Sequence, residues 1–200
     1  MKQTILGLLL SLGIAGHAFA TEGFSYSYAE LGWVKQDFDD LDVEGDGPGI
    51  RASFELTPAL HLFGSFSDQD FDVGANDDVN GESLALGAGY AWSISPQIDI
   101  VGNAAYLREE IDVQLAGVGS GSFEDDGFGI AGYVRARPVE RLELTGGLNY
   151  VDFDESGDDT LFTAGARFFV TRMFALGVDV TLNDDTTTYV LGGRINFGGK

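Results

Sequence analysis

The 200-residue chain carries 11 Lys+Arg against 32 Asp+Glu, a formal net charge of −21, with 29 glycines and no cysteine. Such an excess of acid excludes a basic face for nucleic acid. The missing cysteine excludes a disulfide scaffold, a thiol nucleophile and Cys-ligated metal. An aromatic content of 12% is foreign to a disordered polyanion, and the length suits one domain.

In chain order, Met1-Lys2-Gln3 is a short basic start and Ile5 to Ala20 is apolar apart from Ser11 and His17. The run closes on Ala18-Phe19-Ala20, a small-x-small pattern. Residues 1–20 are therefore expected to be a cleaved secretory signal peptide, and residues 21–200 one domain. The signal holds one Lys and no acid, so the remainder has 10 Lys+Arg against 32 Asp+Glu, a net charge of −22. Beyond it no apolar run is long enough to cross a bilayer as a helix, so any membrane crossing must use strands.

From there the pattern has period two. Ten segments are predicted as strands: 24–35, 48–56, 60–68, 83–92, 97–108, 127–137, 141–151, 160–170, 174–183 and 187–197. One parity is apolar, as in Leu84, Leu86, Ala88, Tyr90 and Trp92, or Phe174, Leu176, Val178, Val180 and Leu182. The other is small or polar, as in Glu143, Thr145, Gly147 and Asn149. Connections alternate between tight turns at 57–59, 93–96, 138–140 and 171–173 and stretches expected to be loops at 36–47, 69–82, 109–126, 152–159 and 184–186. Of the 32 acidic residues, 25 fall at or within those stretches, so one end of the sheet is strongly acidic.

Alternation allows a soluble barrel with a greasy centre or a membrane barrel with a polar one. Segment length, the two kinds of connection and aromatics near segment ends (Phe24, Tyr26, Trp33, Tyr90, Trp92, Tyr150, Tyr189, Phe197) favour the second. So does the charge balance of the polar parity, where Glu30, Glu55, Asp99, Glu143 and Asp179 meet Arg51, Arg135, Arg137, Arg167 and Arg194. The fold expected is all-β: one antiparallel up-and-down transmembrane barrel of ten strands, with eight as the alternative count. Pairing around the turns places Arg135 opposite Glu143 and Arg167 near Asp179. Closure of the last strand on the first places Arg194 near Glu30, with Arg51 on the other neighbour.

The opening strand Tyr26-Ser27-Tyr28-Ala29-Glu30-Leu31-Gly32-Trp33 and a last strand closing on an aromatic residue resemble small Gram-negative outer-membrane barrels. That broad group holds the OmpA/OmpX-like and opacity-type proteins. The opening strand is most similar to vesicle-associated barrels of xanthomonads and related gammaproteobacteria. The resemblance implies export through the periplasm to the outer membrane, contact with lipid and lipopolysaccharide, and a monomer without cofactor. It also implies that Tyr189, Leu191, Ile195 and Phe197 are read by the barrel assembly machinery, although Gly198-Gly199-Lys200 follow the terminal aromatic.

The acidic stretch Asp37, Asp39, Asp40, Asp42, Glu44 and Asp46 offers oxygen ligands of the type that Ca²⁺ or Mg²⁺ takes, but the pattern is unspecific and a solvated, repulsive loop is the preferred reading. Asp-Phe-Asp recurs at 37–39, 70–72 and 152–154. Asp152-x-Asp154-x-Ser156-Gly157 opens like an EF-hand loop but meets Thr163 where the bidentate carboxylate belongs. After the signal the one histidine is His61, just past a tight turn and beside Glu55, a position that suits no catalytic base at the outer rim. No nucleophile elbow, His-Glu-x-x-His or phosphate loop is present, and no enzyme is expected. Three roles remain open: a structural or surface-interaction barrel with a salt-bridge-filled lumen, a small passive pore, and a soluble periplasmic ligand-binding barrel.

Overall fold

The computed structural model describes residues 23–38, 43–73, 78–115 and 119–197. Alternating apolar and polar side chains fit the pleat of a strand, which sends neighbours to opposite faces. Ten strands form: β1 (Tyr28–Phe38), β2 (Val43–Glu55), β3 (Leu60–Asp72), β4 (Asp78–Ser95), β5 (Ile98–Leu115), β6 (Gly119–Val139), β7 (Leu142–Phe153), β8 (Gly157–Phe169), β9 (Phe174–Leu182) and β10 (Thr186–Asn196). Each pairs antiparallel with its sequence neighbours, and β1 pairs with β10 to close the barrel. The count is ten, not eight: the short connection between β9 and β10 still lets both run as full members of the wall.

The faces are those of a membrane barrel. Leu31, Trp33, Phe54, Leu86, Ile130, Leu148, Phe162, Leu176 and Leu191 are exposed outward. Arg51, Asp99, Arg135, Glu143, Arg167 and Arg194 are buried in the lumen. A soluble barrel would have these classes exchanged. Tyr90 and Trp92 are exposed outward with ring centroids 4.7 Å apart, and Trp33 donates its indole N–H to Asp46 at 2.8 Å where the apolar belt ends.

Threonine fixes two of the tight turns. Thr57 Oγ1 accepts the Leu60 N–H at 3.0 Å, and Thr171 Oγ1 accepts the Phe174 N–H at 2.9 Å. The other end of the barrel differs from the sequence expectation. Most residues assigned to acidic loops continue the strands: β4 begins at Asp78, β5 runs to Leu115 and β6 begins at Gly119. The period there is still two, with inward Phe71, Ile111 and Phe153 between outward acids, and Phe38 inward next to Asp37. Polarity on the outer face marks where lipid stops, not where the strand stops. The three Asp-Phe-Asp repeats thus send their phenylalanines inward, and Phe38 and Phe71 pack with Ile111, Val43, Val79 and Val113.

Candidate functional site: the lumen

The lumen is crossed by one connected ion network. Glu30 sits directly opposite Arg194 on β10 and Arg51 on β2. Its carboxylate accepts Arg194 at 2.9 Å, Arg51 at 3.5 Å and, from across the lumen, Arg167 at 3.0 Å. Arg167 and Arg51 also meet Asp179, at 2.6 and 3.4 Å. Glu143 accepts Arg135 at 2.5 Å and Arg137 at 3.2 Å, and lies 3.8 Å from Arg194, which joins the two halves. Asp99 stands opposite Arg135 in the β5–β6 register. A desolvated ion is costly unless paired and hydrogen-bonded, and here each arginine of the network touches at least one carboxylate.

One pairing read around the turns departs in register. Arg135 is opposite Thr145 on β7, past a register shift between Ala136 and Val139, and Glu143 is opposite Arg167 on β8. The Arg135–Glu143 bridge is therefore diagonal. Arg167 does lie near Asp179, as read around its turn, and reaches it diagonally from a position opposite Gly177. Glu55 meets the N-terminal segment and no arginine: its carboxylate accepts the Tyr26 N–H at 3.4 Å.

That segment corrects the sequence reading most. Residues 24–27 are not strand, and Phe24 and Tyr26 are not part of an outer aromatic belt. Both are buried inside the barrel, where they fill the short-turn mouth. Phe24 lies under two guanidinium groups, with Arg137 at 4.6 Å and Arg135 at 5.2 Å from its ring centroid. Arg137 donates to the Gly23 carbonyl. Tyr26 stacks on His61 and donates its hydroxyl to Asp99 at 3.4 Å. His61 pairs in register with Glu55, but its ring serves as packing for this segment. The alternation Phe24, Tyr26, Tyr28 runs smoothly into β1, so nothing in the sequence marks where pairing stops.

Further along the lumen, Tyr133 donates to Asn149, Asn149 Nδ2 donates to Thr163 Oγ1 at 2.9 Å, and Thr163 and Thr181 hydroxyls meet at 3.0 Å. Beyond this rung the wall carries Val34, Leu107, Val151, Phe153 and Leu161, all buried. Among them sits a carboxylate pair placed in a loop by the sequence reading: Glu109 opposite Asp125. Burial, with the Asp125 carboxylate beside it, holds the Glu109 carboxyl well above the ordinary range.

The acidic stretch proposed for a divalent ion is split. Asp39, Asp40 and Asp42 lie outside the described residues. Asp37 and Glu44 face each other across β1 and β2, where Lys35 bridges them at 3.4 and 2.9 Å, and Asp46 accepts from Trp33. Among the described residues no three His, Asp or Glu side chains gather so as to hold a metal ion. Tyr189, Leu191, Ile195 and Phe197 all face outward on or just after β10.

The profile of the outer membrane protein beta-barrel domain matches residues 6–198. The chain belongs to that family. A comparison with curated proteins finds no match. Among solved structures, the NanC porin is similar with a TM-score of 0.54 at 8% identity, over 86% of this chain and 100% of that one. The translocator domain of the autotransporter NalP from Neisseria meningitidis gives 0.54 at 12%, over 88% and 90%. Ail, the attachment invasion locus protein of Yersinia pestis, gives 0.44 at 13%, over 86% and 97%. At such identities the likeness is one of fold. This outer-membrane barrel belongs in the Gram-negative outer membrane. Its tight turns correspond to the periplasmic side and its extended hairpins to the outside, as in barrels of this class.

Proposed function

We propose that the protein is a closed barrel with a structural and surface-interaction role, and not a conduit or an enzyme. One observation carries this: the N-terminal segment and the Glu30–Arg194–Glu143 network occupy the same lumen, from the periplasmic mouth inward. Ten strands enclose little space once five arginines and the rings of Phe24, Tyr26, Tyr28, Phe63 and Tyr133 lie inside. His61, beneath Tyr26 near the periplasmic turns, is buried away from any substrate at the outer rim.

The surface on offer is the outer rim. Asp68, Glu82, Glu110 and Glu124 stand opposite one another on successive strands, on the outward face just past the apolar belt. Like charges directly opposite repel. Divalent ions shared with lipopolysaccharide phosphates would relieve that repulsion, and the outward aromatic pattern of β10 suits recognition by the barrel assembly machinery. We read the working form as a monomer.

Planar-bilayer recording of the refolded barrel tests the proposal. Electrical silence is expected; discrete, reproducible steps would establish the passive-pore alternative instead.

A further inference from the structure

The inner wall of the extracellular half holds an oxygen-rich row that the ion network does not use. Ser67 is opposite Ser83, Ser83 opposite Glu109, and Glu109 opposite Asp125, on four successive strands and on the inward parity. Ser67, Glu109 and Asp125 are all at least nine-tenths buried. Glu109 Oε2 and Ser67 Oγ have no hydrogen-bond partner, and neither carboxamide atom of the buried Gln69, the next inward residue on β3, has one.

No positive charge adjoins Glu109 on this wall. Its inward neighbours are Leu107 and Ile111 along β5, and Ser83 and Asp125 across the sheet. Arg108 and Glu110 lie on the opposite parity, where Arg108 bridges Glu124 at 2.5 Å. Asp125 clamps the β7–β8 turn: it accepts the Glu155 N–H at 3.1 Å, and the Ser156 N–H and hydroxyl at 2.9 and 2.5 Å. Beside it lies a second, buried carboxyl group, Glu109, whose Oε2 is unmatched.

An unpartnered buried carboxylate oxygen facing another carboxylate calls for a cation. The donors are all oxygen, which suits a hard ion and neither zinc nor copper. Neighbouring strands are about 4.8 Å apart, so Ser83 and Asp125 flank Glu109 within reach of one ion, while Ser67 stands about 10 Å from Glu109. We propose that this row is a calcium site, with Glu109 and Asp125 as carboxylate ligands and Ser83 Oγ beside them. Water completes the coordination shell. The ion ties the β4–β6 wall to the β7–β8 turn through Asp125.

The test is a Ca²⁺ titration of the full barrel refolded in detergent micelles, followed at its backbone amides. Wild type is compared with Glu109→Gln and with the outward double variant Glu110→Gln/Glu124→Gln. Saturable shifts at Ser83, Glu109 and Ser156 are expected, with Kd at least tenfold weaker in E109Q and unchanged in the double variant. Equal affinity in E109Q overturns the site. So do wild-type shifts confined to Glu110, Glu124 and Asp126, which would assign the binding to the rim, or no saturation below millimolar Ca²⁺. The location of the wild-type shifts decides the question even if E109Q folds poorly.

Discussion

Tyr26 and His61 lie ring against ring, with centroids 4.6 Å apart and planes 24° from parallel. One comes from the segment ahead of the first strand and the other from the start of the third, so the contact fastens the N-terminal segment to the wall. Replacing a buried aromatic by alanine costs about 3–5 kcal/mol. Tyr26→Ala is therefore expected to lower the urea midpoint of the refolded barrel by a corresponding amount. It should also render the Gly23–Tyr26 backbone sensitive to protease while the strands stay resistant. An unchanged midpoint would show that the segment adds nothing to the fold.

Arg135 is fully buried and bridges Glu143 at 2.5 Å. Removing one member of such a pair strands the other in the interior, at about 3–5 kcal/mol. Arg135→Ala should destabilise by that order and reduce heat-modifiable migration on gels. The double variant with Glu143→Ala should cost clearly less than the sum of the two single ones, because contacting residues are not additive. Strict additivity would remove the bridge from the account.

Glu109 predicts a pH dependence of definite sign. Burial and the neighbouring Asp125 raise its carboxyl in the folded state. The folded chain thus keeps a proton that the unfolded chain releases in the ordinary carboxylate range. Its stabilising contribution is complete below that range and is lost as pH climbs through the raised value. Without added Ca²⁺, amide exchange at Ser156, whose N–H donates to Asp125, should speed up with pH beyond the intrinsic rate. Glu109→Gln should flatten the profile; a variant that keeps the same slope would place the titration elsewhere.

Leu148 lies exposed on the outer face opposite Gly132, midway along the apolar part of β6 and β7. An arginine at the bilayer midplane costs about 2–4 kcal/mol, falling to about 0–1 near the interfaces. Leu148→Arg should therefore lose several times more stability in lipid vesicles than Val139→Arg, which lies by a periplasmic turn. Equal losses would mean that Leu148 does not face lipid.

Strand number, facing and the closure partners of Glu30 were legible in the sequence because all three follow from one alternation and one ring closure. Arg194 and Arg51 flank Glu30 by register alone. The bond from Arg167 to Glu30 was not legible, since it crosses the lumen between strands that are not neighbours. Phe24 and Tyr26 were misread because an aromatic at a strand end looks the same whether it faces lipid or folds back inside. Glu109 was hidden in an acidic run: Glu109 and Glu110 are adjacent letters, and only the pleat sends them to opposite sides of the wall.

The wall is lopsided. β6 begins at Gly119, whereas its contacts with the β7 hairpin begin at Asp125, so residues 119–124 of β6, about 20 Å along the strand, stand beyond that neighbour. Across the barrel β9 and β10 meet at a three-residue connection, Asn183 to Asp185, closed by the Asn183 N–H donating to the Thr186 carbonyl at 3.1 Å. Among the described residues the closed barrel thus carries a turret on the β5–β6 flank. Its azimuth is meaningful: in a crowded outer leaflet, a neighbour abutting the low flank has open sky above it, while one on the high flank is overshadowed.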